Sequence, residues 1–268
     1  MEERPCFQVI SPKSKSLPFI LSIPHCGTDF PHTIKPKYVT SQIENLDDTD
    51  WDLEKLYDFA PEMGITTIKA VYSRWVIDLN RDPENNALYN DGRIITSLCP
   101  VTDFKGDPLY KKGYEPKENN IQNRLQQYFW PYHNKINELI QKFLKSHGEV
   151  FFWDAHSIRR LVPSIHPTPF PDLILGNNNN LACCDRITKT AINELNKGDF
   201  QVAFNQPFKG GYLTRSIGKP NKNIHALQLE MSKDIYMSNN EMKYDKDKAL
   251  VIKKLLFNTF EQIIDDLK

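Results

Sequence analysis

Two histidines stand where apolar, strand-like runs give way to polar chain: His25 after ILSIP and His156 after VFFWDA. Asn80-Arg81 follow the run WVIDL in the same manner, and Glu230 lies near the end of HALQL. Two imidazoles and one carboxylate, with a fourth position left to water, make a catalytic zinc site. Such an ion lowers the pKa of its water from about 15.7 to roughly 7, which creates a nucleophile at neutral pH. A further carboxylate must then take the water's proton and pass it to a leaving nitrogen. Glu230 is the candidate, because it sits on the polar side of an otherwise apolar strand, where an unpaired carboxylate is unfavourable to bury. In open α/β sheets, ligands bind beyond the carboxyl ends of the strands. Four apolar runs each delivering polar groups at that end therefore point to one shared pocket.

Each of these residues also has a structural reading. A histidine after a strand can be held by a hydrogen bond and do nothing more. Asp48 and Asp50, either of which could supply the metal carboxylate, can instead cap the helix that follows them. Glu230 can pair with a lysine, and Arg81 can form a surface salt bridge. Cys26, next to His25, offers a thiol nucleophile, but the local sequence specifies no base to activate it.

The elements that must position these groups alternate along the chain. Phe19–Ile23 is a short apolar run of the kind that forms a fully buried strand. From Asp48 the spacing becomes helical, with Leu53, Leu56, Tyr57 and Ala60 on one face and Gly64 as the stop. Residues 66–72 and 75–79 are rich in β-branched and aromatic side chains and read as strands. Residues 80–113 are rich in Gly, Pro, Asn and Asp and read as a long loop, which in a compact domain is usually functional or mobile. A helix over 121–144 must break or kink at Pro131. Strands are expected at 149–154, 172–175 and 200–204, with a helix over 181–195 between the last two. His225–Met231 alternates, with Leu227, Leu229 and Met231 on one face and Gln228 and Glu230 on the other. Residues 249–267 form an amphipathic closing helix. With no repeat or linker, the pattern predicts a single α/β domain over residues 1–268 with a mainly parallel or mixed sheet.

Bulk properties narrow the partners. Lys+Arg and Asp+Glu are equal at 34 each, and no basic run exceeds a pair, so nothing provides the clustered charge that holds nucleic acid. The opening MEERPCFQVI is acidic where a secretory signal needs positive charge, and PFILSIP is too short to span a bilayer. The five cysteines are scattered, with no C-x-x-C, which suits a reducing cytoplasm. Oligomeric state leaves no trace.

Eight segments match one family in order. SIPHCGTDFP resembles the S-x-P-H-x-G-x-x-x-P opening of the N-formylglutamate amidohydrolases, DDTDWDLEKLY their D-x-D-W segment, and SRWVIDLNRDPEN their S-R-Y-V-x-D-L-N-R block. RLQQYFWPYH, WDAHSI, PDLILG, FKGGYLTRSIGKP and HALQLEMSKDIYM continue the match, from Ser22 to Met237. The resemblance implies a three-layer fold of the zinc-carboxypeptidase-like clan, with a mixed, mainly parallel sheet flanked by helices. It implies one zinc ion held by His25, Asp50 and His156, with Asp48 the rival to Asp50, since Thr28 stands where related hydrolases carry the carboxylate of H-x-x-E. Glu230 would be the general base, and Asn80-Arg81 would grip a substrate carboxylate. The implied substrate is a small dicarboxylate, N-formyl-L-glutamate, split to formate and L-glutamate. Arg74, Arg81 and Arg215 are the family-block arginines available to bind its carboxylates or to polarise the formyl oxygen. The two glycines before Arg215 suggest a close backbone approach or a flap. His133 and His225 rank below these residues. The chain departs from the family after PDLILG, where it reads NNNNLACC; that loop, if it bordered the pocket, would bear on acyl or side-chain preference. The rivals are a zinc amidohydrolase for another N-acyl amino acid or short peptide, and a non-catalytic metal- or carboxylate-binding module.

Overall fold

The computed structural model describes residues 4–89 and 96–267. Its strands are β1 (Phe7–Ile10), β2 (Phe19–Ile23), β3 (Thr66–Ala70), β4 (Val150–Ile158), β5 (Leu173–Gly176), β6 (Val202–Phe204) and β7 (Ile224–Ser232). They form one sheet in the order β1-β3-β2-β4-β7-β5-β6. The β3-β2-β4-β7 centre is parallel, as is β5-β6, while β1 and β5 join antiparallel to β3 and β7. The helices are α1 (Thr40–Glu44), α2 (Leu53–Leu56), α3 (Glu118–Arg124), α4 (Trp130–His147), α5 (Asp185–Leu195), α6 (Tyr212–Ile217) and α7 (Lys246–Asp266). None among the described residues is long and apolar enough to cross a membrane.

Strand alternation divides the core into two layers. Phe19, Leu21 and Ile23 of β2, Phe151, Trp153 and Ala155 of β4, and Leu227, Leu229 and Met231 of β7 pack with α2, α5 and α7. Ile20, Val150, Phe152, Ile224 and Ala226 point the other way, onto Tyr132, Ile136, Leu139, Ile140 and Phe143 of α4. The expected mixed, mainly parallel sheet between helical layers is what forms. On the α4 face the chemistry changes along the strands. Phe152 of β4 is followed two residues on by Asp154 and then His156, and Ala226 of β7 by Gln228 and then Glu230. The register sets Asp154 opposite Gln228 and His156 opposite Glu230. An apolar face thus becomes polar at the carboxyl ends of its central strands.

Several elements depart from the sequence reading. Residues 75–79 are not a strand. Trp75, Val76, Ile77 and Leu79 are all buried, but the segment makes a turn, Val76 N–H to Ser73 O at 2.9 Å, and then bends at Asp78, whose N–H bonds Leu98 O at 2.8 Å. Its apolar composition reports enclosure on every side, not a ladder. The helix expected from Asp48 is a single turn, α2, continued by turns to Gly64, whose φ of +88° and approach to Lys15 O leave no room for a Cβ. The helix expected from residue 181 starts at Asp185. Pro131 is accommodated by a wider π-helical turn, Leu125–Phe129, between α3 and α4. Strand β1 was not anticipated: it is a half-buried edge strand of four residues. Within the long loop expected over 80–113, the described residues carry only isolated bridges; residues 90–95 lie outside the described ones.

Candidate active site

His25 leaves β2 through Pro24, and its carbonyl accepts the N–H of Asp50 at 3.0 Å, which draws the two segments together. His156 rises from β4 beside them. The two Nδ1 atoms are 3.2 Å apart, and Asp50 Oδ2 lies 3.2 Å from His156 Nδ1 and 3.7 Å from His25 Nδ1. The three donors of this all-buried group lie within 4.8 Å of one another. The far nitrogens face carboxylates: His25 Nε2 is hydrogen-bonded to Asp78 Oδ1 at 2.8 Å, while Asp154 Oδ1 lies 3.0 Å from His156 Nε2 as an ion pair without hydrogen-bond geometry. Carboxylates behind metal-binding imidazoles fix ring orientation and strengthen the ligand in this way. Asp50 Oδ1 is buried and accepts no hydrogen bond among the described residues. A carboxylate enclosed with an unsatisfied oxygen, facing two imidazole nitrogens, fits a cation and is otherwise unfavourable.

The titration of these groups follows the same geometry. Burial and the Arg74 guanidinium hold His25 below the usual histidine range. At His156 burial acts in the same direction, but Asp154 and Asp50 overcome it and raise the pKa. Burial also opposes the charge on Asp50, yet His156 and His25 keep its carboxyl below the usual range. Glu230, half-buried across the ladder from His156, is pushed up to about 8 by burial, against the pull of His156 and with repulsion from Asp50 adding to it.

His25, Asp50, Arg74, Asn80, Arg81, His156 and Glu230 line one cavity, and Arg215 does not. Asp78 organises one side of it. Its Oδ2 accepts from Arg74 Nη2 at 2.6 Å, its Oδ1 accepts the N–H of Asn80 at 2.9 Å, and Arg81 Nε lies 3.7 Å away. Arg81 donates from Nε and Nη2 to Thr96, so among the described residues Nη1 is left for a ligand. Asn80 accepts the N–H of Leu213 at 2.7 Å and sets its Nδ2 2.9 Å from His156 Nε2. A Cβ on Gly211 would fall 2.3 Å from that Nδ2. The close approach expected at the glycine pair is therefore made by Gly211 onto the Asn80 amide. Arg215 belongs elsewhere: its guanidinium bonds Gly210 O and Leu88 O, both at 2.8 Å, and covers the Tyr89 ring. It braces two loops through Nε and Nη1 and does not line the cavity.

The remaining candidates separate cleanly. Asp48 accepts from Trp75 Nε1 at 2.9 Å and from the N–H of Phe104 at 3.2 Å, away from the histidine pair. Cys26 donates to Ile23 O, and burial pushes its thiol up, far from a thiolate. His133 bonds Leu79 O and stacks on Phe129. His225 is held by Glu149 and the N–H of Cys184. The Asn-rich loop is knit to itself and to Asn205 and contributes nothing to the cavity wall, so the departure from the family pattern lies outside the site. Two residues were missed. Asp154 had a signal, since it lies two before His156 and shares its strand face. Asp78 had only the oddity of a carboxylate inside a buried apolar run.

This geometry has relatives. The family model for N-formylglutamate amidohydrolase matches residues 17–237. The chain belongs to that family. It is 36% identical to the N-formylglutamate deformylase of Pseudomonas putida, over 93% of this chain and 94% of that one. It is 34% identical to the N-formylglutamate deformylase of Pseudomonas aeruginosa, over 96% of each. The crystal structure of N-formylglutamate amidohydrolase from Ralstonia eutropha JMP134 has the same fold, with a TM-score of 0.82 at 23% identity over 98% of both chains. As a member of this family the chain is an amidohydrolase of linear amides, and all eight segments noted in the sequence lie inside the matched region.

Proposed function

We propose that the chain hydrolyses the formyl amide of N-formyl-L-glutamate, releasing formate and L-glutamate with one zinc ion per chain. The observation that carries this reading is the convergence of His25, Asp50 and His156 on one point, with Glu230 paired to His156 across the ladder. The two Pseudomonas relatives, named as deformylases of N-formylglutamate, support the substrate. Two imidazoles and a carboxylate are a catalytic zinc donor set. When bound, zinc would polarise the formyl oxygen and ease deprotonation of a water.

The rest is the work of the chain's own groups. Asp78 and Asp154 hold the imidazoles with their Nδ1 atoms inward. Glu230 takes a proton from the attacking water, and its raised pKa suits it to return that proton to the amide nitrogen as the C–N bond breaks. Arg81 and Asn80 hold the substrate's α-carboxylate through charge-assisted hydrogen bonds. Arg74, fixed by Asp78, keeps a positive charge beside the developing oxyanion. Metal analysis of the purified protein, with formate release assayed before and after chelation, tests this. One equivalent of zinc and activity lost to chelator but restored by zinc are expected. Full turnover by metal-free protein overturns the metal, and no formate from N-formyl-L-glutamate overturns the substrate.

A further inference from the structure

A second cavity of about 300 Å³ adjoins the metal cluster, and Phe104, Ser157 and Ile158 line both. Lys233, the residue after β7, borders it and is only 2% exposed. Its ammonium donates one hydrogen bond, to Asp47 O at 3.1 Å. No described carboxylate lies within ion-pairing distance of it, although an ammonium carries three donors and a buried lysine is almost always paired. The nearby acids are committed elsewhere: Asp47 to Arg159 and Lys105, Asp48 to Trp75 and Phe104, and Asp50 to the imidazoles. Burial works against the charge on Lys233, and Asp50 is the carboxylate that most favours it. Arg159 adds a second cation to the same wall, and Ile158 and Val162 give it an apolar flank.

Two cavities that share Phe104, Ser157 and Ile158 as a wall, one lined by His156 and Glu230 and the other by a buried, under-coordinated ammonium, suit a substrate whose second carboxylate is carried on methylenes. We propose that Lys233 is a specificity-determining residue that receives the side-chain carboxylate of the substrate, while Arg81 holds the α-carboxylate. This rests on the deformylase reading and adds to it the group that selects an acidic side chain. Without a carboxylate to receive, the ammonium keeps its burial unfavourable, so a neutral side chain forgoes the contact.

The test compares N-formyl-L-glutamate with its neutral isostere N-formyl-L-glutamine on wild type, Lys233→Met and Lys233→Arg. Wild type should favour the acid, and Lys233→Met should lose roughly 30-fold or more in kcat/KM on it, as expected for removing one partner of a buried charge pair. The loss on the amide should be far smaller, and Lys233→Arg should recover part of the preference. Equal losses on both substrates overturn the assignment. Calorimetric binding of glutarate against glutaramic acid separates the two layers of inference. A preference for glutarate that disappears in Lys233→Met upholds the subsite even if the protein releases no formate, an outcome that removes the deformylase reading alone. Equal binding of both by wild type overturns the subsite.

Discussion

Among the described residues two places bring three metal-type donors within 4.8 Å of one another: His25, Asp50 and His156 at the sheet's carboxyl edge, and Cys183 and Cys184 before α5 with His225 of β7. By donor chemistry the second is the softer and stronger set. The two differ in what is already satisfied. His225 accepts the Cys184 N–H at Nδ1 and meets Glu149 at Nε2, 3.0 Å away, so both of its ring nitrogens are engaged. At the first cluster the outer nitrogens face Asp78 and Asp154, the inner ones face each other, and among the described residues Asp50 Oδ1 and Asp154 Oδ1 accept no hydrogen bond. Proximity of donors therefore does not make a metal centre. The first cluster adds a buried carboxylate oxygen without a hydrogen-bond partner among the described residues, whereas the imidazole of the second is bound at both nitrogens.

The contrast can be broken from the strongest effect downward. His156→Ala should lose both zinc and turnover, by more than about 10⁴-fold, beyond what loss of a proton-transfer group alone would cause; metal analysis and formate assay check it. Glu230→Gln should retain zinc and lose roughly 10²–10⁴ in kcat. Because burial raises the Glu230 carboxyl, its ionised, proton-accepting form gains population as pH rises. The acid limb of the wild-type rate profile should fall between 4.5 and about 8, with a bound cation drawing it downward, and Glu230→Gln should abolish it. Asp154→Asn should weaken zinc about 10–100-fold in a chelator competition while Glu230 is untouched. At the other cluster, Cys184→Ser should leave zinc stoichiometry and kcat/KM within about two-fold, since His225 is already bound at both ring nitrogens. His225→Gln should register only in stability, about 1 kcal/mol by denaturant titration. A second zinc equivalent that disappears in Cys184→Ser would defeat the distinction drawn between the clusters.

How much of this could be read from residues alone follows from the range of the interactions involved. Strands β2, β4 and β7 were legible because their patterns are local: an unbroken apolar run, then alternation in which Glu230 is the anomaly. The histidines were legible because they end those runs. The choice between Asp48 and Asp50 was not, since both lie in one acidic turn and only the path of the chain decides which reaches the imidazoles and which reaches Trp75. Residues 75–79 look like a strand because burial on all sides and burial in a sheet select the same side chains. Arg215 shows the same limit for charge, because a guanidinium on carbonyls and one on a ligand are spelled alike. Lys233 lay inside a family-like segment, but nothing local indicated that it would be enclosed without a counter-ion.

The nine-residue pairing of β4 with β7 has a consequence for how this enzyme can change. His156 and Glu230 face each other as rungs of one ladder, so their spacing is inherited from backbone geometry, and a slip of either strand by one residue would turn its member of the pair toward the opposite helical layer. Drift in the surrounding loops leaves that spacing alone. New acyl or side-chain preferences would therefore be expected to arise by rebuilding walls such as Phe104, Arg81 and Lys233, around a reactive pair that the sheet keeps constant.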